Sequence, residues 1–367
     1  MALTTGSELP NIVAVKEVHA FIVRCMEAVG TPADHATALA KGLIAADSRG
    51  HYSHGLNRLE MYVNEVKSGQ CDGKAKPEIV KQTVATAFVD GKNGIGFVVG
   101  NYCMELAIVK AKDAGIGWVT CTGSNHYGIA GQYAMQALDH GLLGMSFTNS
   151  SPLVVPTRAK QNILGTNPIA VAAPACSNED SFVLDMATST AALGKVEMER
   201  RKGNSIPSGW GVDSSGKESH DPSAVVGGGG LMPLGGSELT AGYKGYGLAM
   251  MVDVFCGILS GGPFAHHVRK WQADASVANL GQTFVAVDPK AFAPGFEERM
   301  SAFSQEMRAM EPVDPNKPVL VAGDPERCNE ERVKREGGIR YHDALIGAMS
   351  NLAERLGVSH MSVQRTT

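Results

Sequence analysis

Two histidines, two serines and two arginines crowd into the stretch Asp47-Ser-Arg-Gly-His-Tyr-Ser-His-Gly-Leu-Asn-Arg58, between two segments of helical apolar spacing. If a helix starts at Ser53, His54 falls in its first turn and Arg58 four residues on, so both leave one face. Free N–H groups and the positive end of the dipole favour an anion there, and an arginine fork grips a carboxylate bidentately. A histidine beside that carboxylate can move a proton to or from the oxygen on the next carbon. The chemistry that fits is a 2-hydroxy or 2-oxo acid. Ordinary surface residues of a helix have the same spacing, so other motifs must decide.

The elements that would position this corner follow from the pattern. Thr31-Pro32-Ala33-Asp34 predicts a helix start with Thr31 as cap, and Leu39, Leu43 and Ala46 carry it to Ser48 before Gly50 stops it. Ser53 is the expected N-cap of the next helix, in which Leu56, Leu59, Tyr62, Val63 and Val66 recur until Lys67 and Gly69. A first helix is expected over 11–29. From Pro77 the texture changes to strands within 79–90, a glycine-rich loop at 91–96, a helix at 97–113 and a strand at 116–122. A helix running to His140 and strands at 144–149, 169–173 and 182–184 continue an α/β alternation, followed by a helix to Arg201. Residues 202–236 are polar and glycine-rich and read as a long loop. The apolar run Gly245 to Gly262 is broken by Asp253 and dense in glycine, which suits a buried helix to Leu259 rather than a membrane span. Strands at 283–288 and 319–322 and a helix at 296–310 precede a last helix at 342–356, expected to pack on the N-terminal helices.

Three further sites carry chemistry. Ser124-Asn125-His126-Tyr127-Gly128 follows a strand, where α/β proteins bind ligands, and Gly128, Ala130 and Gly131 would let a flat ring approach the backbone. His126 is thus a second candidate for proton transfer or cofactor contact. Asp185, just after a strand, could take a ribose hydroxyl, although the Gly-x-Gly-x-x-Gly fingerprint of an ordinary dinucleotide fold is absent. Lys244, among the glycines of Gly242-Tyr-Lys-Gly-Tyr-Gly247, could cradle phosphate. Thr166 and Asn167 sit in a turn that could line a pocket. His266-His267, taken with His51 and His54, lacks carboxylate or cysteine partners at ligand spacing, so no metal is expected.

The chain has 367 residues, 44% hydrophobic and 19% charged, a soluble globular composition. Acids outnumber bases 37 to 33 with no basic run, which excludes nucleic acid and anionic membrane as expected partners. Seven cysteines are scattered singly, and the N-terminal residues look like neither signal nor transit peptide, so a cytoplasmic protein is expected.

Six motifs in register carry a resemblance. Arg49 to Arg58, Ser124 to Gly128, Asn149-Ser-Ser-Pro152, Gly165-Thr-Asn-Pro168, Asp185-Met-Ala-Thr-Ser189 and Tyr243-Lys-Gly-Tyr-Gly247 resemble, in order and spacing, the malate/L-lactate dehydrogenase family, which is unrelated to the Rossmann-type enzymes. The likeness spans Val15 to Leu356. It implies an NAD- or NADP-dependent oxidoreductase of 2-hydroxy acids, a homodimer. The implied fold is α/β with a non-Rossmann NAD(P)-binding architecture, a mixed sheet and a helical N-terminal domain. That division is expected to be 1–75, completed by 336–367, for the helical substrate and dimer domain, and 76–335 for the cofactor domain.

By position, the resemblance makes His54 the proton donor and acceptor, Ser53 its relay partner and Arg58 the carboxylate ligand. Thr166 becomes a substrate contact. His126, Tyr127, Gly128, Ile129, Ala130, Ser150, Asp185, Met186, Ala187 and Lys244 become cofactor contacts, with His126 also carried as a catalytic candidate. Lys195 stands where the family's cyclic-imine reductases have an aspartate, which favours an oxo acid and, within that class, malate with oxaloacetate. Lactate, ureidoglycolate, sulfolactate or a sugar acid remain alternatives, as does a non-catalytic dinucleotide-binding protein on the same fold.

Overall fold

The strand Leu280–Val287 is the axis of the fold: seven of its eight residues are buried, and it is paired antiparallel on both sides. The computed structural model describes residues 9–271 and 276–365; the N-terminal residues read for a targeting segment lie largely outside that range. Around the axis a seven-stranded sheet runs in the order Glu78–Gln82, Thr86–Asp90, Ile116–Ser124, Leu280–Val287, Leu143–Thr148, Ile169–Ala173, Phe182–Met186. Thr86–Asp90 and Ile116–Ser124 pair in parallel and the remaining neighbours antiparallel, so the sheet is mixed, as expected.

Helix Gly96–Ala114 and the short helix Gly131–Gln136 lie on the sheet so closely that only glycine fits beneath them. A Cβ on Gly117 would stand 1.9 Å from the Ala107 carbonyl oxygen, and one on Gly144 would stand 2.0 Å from that of Ala134. A second core forms where Val15–Ala28, Ala33–Ser48 and Leu59–Lys67 pack with the last helix, Asp343–Leu356, through Phe21, Leu39, Leu59, Met349 and Leu352. The expected return of the final helix to the N-terminal ones is therefore observed. Strand Asn11–Val13, which the pattern folded into the first helix, instead pairs with Ile339–Tyr341 and Gln364–Arg365.

Four local expectations are corrected. Residues 319–322 form no strand, although the Ala322 carbonyl accepts from Val183 N–H at 3.0 Å. Residues 202–236 are not one long loop. They hold the ribbon Gly211–Val212 with Gly230–Leu231 and the helix Pro222–Val226 capped by Asp221, because Val212, Val225 and Leu231 have apolar partners to bury against. The helix expected to His140 is a six-residue α-helix followed by a 3-10 turn, Leu138–His140. The helix Gly242–Asp253, continued by the π-turn Val254–Ile258, buries only one side: Met250, Val254, Ile258 and Leu259 are exposed. Among the described residues, no helix is long and apolar enough to cross a membrane.

Candidate active site

Ser53 does not cap a helix. The corner consists of two 3-10 turns, Tyr52–His54 and Leu56–Arg58, and the α-helix starts only at Leu59. The reason is Asp47. Its buried carboxylate takes the Leu56 N–H at 2.9 Å, the job a capping side chain would have done, and the Tyr341 hydroxyl at 2.7 Å. Gly55 makes this possible, since a Cβ there would lie 1.7 Å from Asp47 Oδ1. Burial pushes the Asp47 carboxyl up to about 7, against the pull of those two hydrogen bonds. Upstream, Thr31 makes no cap either, because Pro32 precedes the first helical residue and the Thr31 hydroxyl is buried without a partner.

Freed from capping, Ser53 Oγ meets His54 Nδ1 at 2.8 Å. The His54 ring stacks on His126 with centroids 5.6 Å apart, and His126 Nδ1 meets the Tyr62 hydroxyl at 2.6 Å. Each imidazole is thus held through Nδ1, leaving Nε2 for chemistry. His126 is fixed from the sheet: Gln282 Nε2, on the axial strand, donates to the Asn125 carbonyl at 2.9 Å, and Asn125 Nδ2 donates to Gly94 O at 2.9 Å. Burial first, then the neighbouring Arg58 and His51, lowers His54 to about 4; His126 falls to about 3 by burial, His54 and Arg58. Both rings are neutral bases at pH 7.

Arg58 is anchored by Nε donating to the Ser53 carbonyl at 2.7 Å, and its guanidinium lies over the Trp271 ring at 4.9 Å. A pocket of about 150 Å³ gathers Arg58, His126, Ser150, Thr166, Arg269 and Trp271. Asn167 braces it, with Oδ1 accepting from Ser150 N–H at 3.1 Å and Nδ2 donating to Ala249 O at 2.9 Å. The structure therefore brings His54, His126, Arg58, Ser150 and Thr166 together from four separate segments.

Other expected residues sit apart from that pocket. Asp185 Oδ2 accepts from Gly131 N–H at 2.7 Å, and a Cβ on Gly131 would intrude to the same distance. Burial raises the Asp185 carboxyl, with the Gly131 hydrogen bond opposing. Tyr127 turns its ring into the core, stacked on Tyr133 and bonded to Ser146 Oγ at 3.0 Å, so only its backbone can face a ligand. Ile129 and Ala130 are buried, and Lys244 is exposed in the first turn of Gly242–Asp253. Among the described residues no cluster of histidine, cysteine and carboxylate side chains could hold a metal.

The sequence matches the family profile described as malate/L-lactate dehydrogenase over residues 13–350. The chain belongs to that family. It is 41% identical to the malate dehydrogenase of Pyrococcus abyssi over 95% of both chains. The structure superposes on the malate dehydrogenase of Pyrococcus horikoshii with a TM-score of 0.87, at 37% identity over 95% of this chain and 96% of that one. The sulfolactate dehydrogenase of Methanocaldococcus jannaschii gives 0.86, at 34% identity over 95% and 98%. As a family member, the protein is a hydroxy-acid dehydrogenase that uses a nicotinamide cofactor.

Motif reading missed Asp47, Tyr62, Glu65, Arg269 and Trp271 as site residues. Tyr62 and Glu65 had a signal, since they share a helix face with Arg58 at four- and seven-residue spacing. Arg269 and Trp271 had none, because Arg269 meets Glu65 across 204 residues of sequence, far beyond any local spacing.

Proposed function

We propose that this dehydrogenase interconverts malate and oxaloacetate. The observation that carries the reading is the pocket in which an anchored guanidinium stands beside His126, with His54 stacked on that ring and both neutral imidazoles tethered through Nδ1. Arg58 holds the C1 carboxylate, Thr166 closes on the substrate, and His54, steadied by Ser53, takes the C2 hydroxyl proton in oxidation and returns it in reduction. A separate observation favours His126 for the same transfer: it lines the pocket, whereas His54 stacks behind it.

The residues present fit a dinucleotide. A bound nicotinamide ring supplies the hydride acceptor or donor. His126, the backbone from Tyr127 to Ala130, and Ser150 would hold that ring; Asp185 to Ala187 would face ribose and Lys244 phosphate. Beside Gly131, Gln132 Oε1 is buried without a partner, an unused acceptor next to the turn that would hold the cofactor. Oxidation of NADH and NADPH against oxaloacetate, pyruvate, 2-oxoglutarate and a cyclic imine acid tests the reading. Fastest turnover with oxaloacetate is expected, and binding of NADH with no turnover of any acid would sink it.

The homodimer has a surface to use. Tyr243, Gly247, Met250, Val254 and Ile258 recur at helical spacing on the outward side of Gly242–Ile258, uninterrupted by charge, and nothing lies within 4 Å of the Gly247 Cβ position. Such a stripe suits close crossing with a second copy. The double variant Val254→Glu, Ile258→Glu should shift the light-scattering mass from dimer to monomer; an unchanged dimer would place the interface elsewhere. A cytoplasmic setting accords with seven free cysteines.

A further inference from the structure

Helix Leu59–Lys67 delivers a second charged group to the substrate pocket. Glu65 lies seven residues after Arg58 on the same face, and its Oε1 accepts from Arg269 Nη2 at 2.7 Å across 204 residues of sequence. Both side chains are only 9% exposed, and both line the pocket with Arg58. Desolvating two such charges costs about as much as their attraction returns, so a pair of apolar residues would hold the fold equally well. The pair therefore calls for a reason beyond stability.

Its geometry supplies one. Arg269 is fixed on three sides: Nη2 to Glu65, Nη1 to Ser276 O at 3.0 Å, and its own carbonyl accepting from Ser151 Oγ at 2.8 Å. Ser151 Oγ also accepts from Trp271 N–H at 3.0 Å, and the Trp271 ring packs on Arg58. One short segment thus sets the positions of both guanidinium groups. Arg269 keeps its Nε–H and the second hydrogen of each terminal nitrogen for a ligand.

We infer that Arg269, oriented by Glu65, binds an acidic group at the end of the substrate opposite Arg58 and so selects hydroxy and oxo acids that carry a second acid. This rests on the dehydrogenase reading above and deepens it. Arg58 takes the carboxylate common to every 2-hydroxy acid. Arg269 takes the distal carboxylate or sulfonate, and Glu65 spares the guanidinium the rotamer freedom it would otherwise lose on binding. The pocket, at about 150 Å³, presents both guanidinium groups to the same small acid.

The test compares kcat/KM for oxaloacetate, for 3-sulfopyruvate and for 2-oxobutyrate, which has the same four carbons as oxaloacetate and no second acid. The wild type should favour the diacid over 2-oxobutyrate by about a hundredfold, the worth of one strong charge-assisted contact. Because removing one partner would strand a buried charge, the variant is the double change Glu65→Met, Arg269→Met, checked for folding by calorimetric NADH binding. In it the ratio should collapse towards unity, chiefly through a raised KM for oxaloacetate. Arg269→Lys, which keeps the charge without the fork, should retain part of the preference. Preference for sulfopyruvate over oxaloacetate in the wild type identifies sulfonate as the distal group; the reverse identifies carboxylate. A wild type that turns over 2-oxobutyrate as well as oxaloacetate, or a folded double variant that keeps the full ratio, overturns the role of Arg269 and leaves the dehydrogenase reading intact. No turnover of any oxo acid removes both.

Discussion

His54→Gln lowers kcat by about 10²–10⁴-fold, the usual worth of a positioned general acid-base, with little change in NADH affinity. The expected pH profile follows from the direction of the shift. Burial and the Arg58 charge hold the free imidazole near 4, below the ordinary 6.5, so His54 is a competent base throughout the neutral range. Oxidation of the hydroxy acid should therefore lose kcat/KM only as pH falls towards 4. Reduction needs the protonated ring, so its kcat/KM should decline as pH rises above that value. A carboxylate bound at Arg58 cancels part of the repulsion and lifts the ring's affinity for a proton. The limb of kcat in reduction should accordingly lie at higher pH than the limb of kcat/KM. Retained kcat in His54→Gln, together with a collapse in His126→Gln, would transfer the proton to His126. Tyr62→Phe would then be the damaging second change, rather than Ser53→Ala.

Arg58→Ala raises KM for the oxo acid by about 10–100-fold, because a charge-assisted hydrogen bond contributes about 1.5–3 kcal/mol. Lysine should rescue poorly, since it can neither stack flat on Trp271 nor offer two parallel donors. NADH binding, followed by fluorescence, should hardly move. A second readout belongs to the electrostatics alone: without the Arg58 charge, His54 becomes more basic, and the acidic limb of oxidation moves up in pH. A KM within about threefold of the wild type would assign the C1 carboxylate to Arg269 instead.

Some of this was legible in the chain. Apolar spacing located the helices that carry the corner, because amphipathic periodicity is a local property. It placed Arg58 four residues beyond His54 and put Ser124 to Gly128 at the end of a strand. The capping reading of Ser53 was reasonable from residue type and failed because a carboxylate six residues earlier reached Leu56 N–H first. Glycine at position 55 permits that reach, yet nothing in the sequence says which side chain will fill the space it leaves. The helix after Lys244 reads as buried by composition alone. Only the tertiary structure shows that one face of it stays exposed among the described residues.

Six motifs in order were enough to mark the family, since each resembles it in both residue type and spacing. What the sequence could not show is how those motifs meet. The axial strand Leu280–Val287 is contributed late in the chain and inserted between two strands made early, and through Gln282 it pins the turn that aims His126. The depressed basicity of both histidines arises first from burial in the assembled fold, to which Arg58 adds for both rings, His51 for His54, and His54 for His126. Arg269 and Trp271 meet Glu65 and Arg58 only through long-range packing, the first pair being 204 residues apart in sequence. Residue type and local periodicity determined which groups this protein has available. Long-range packing decided which of them share a pocket, because burial and proximity are properties of the assembled fold.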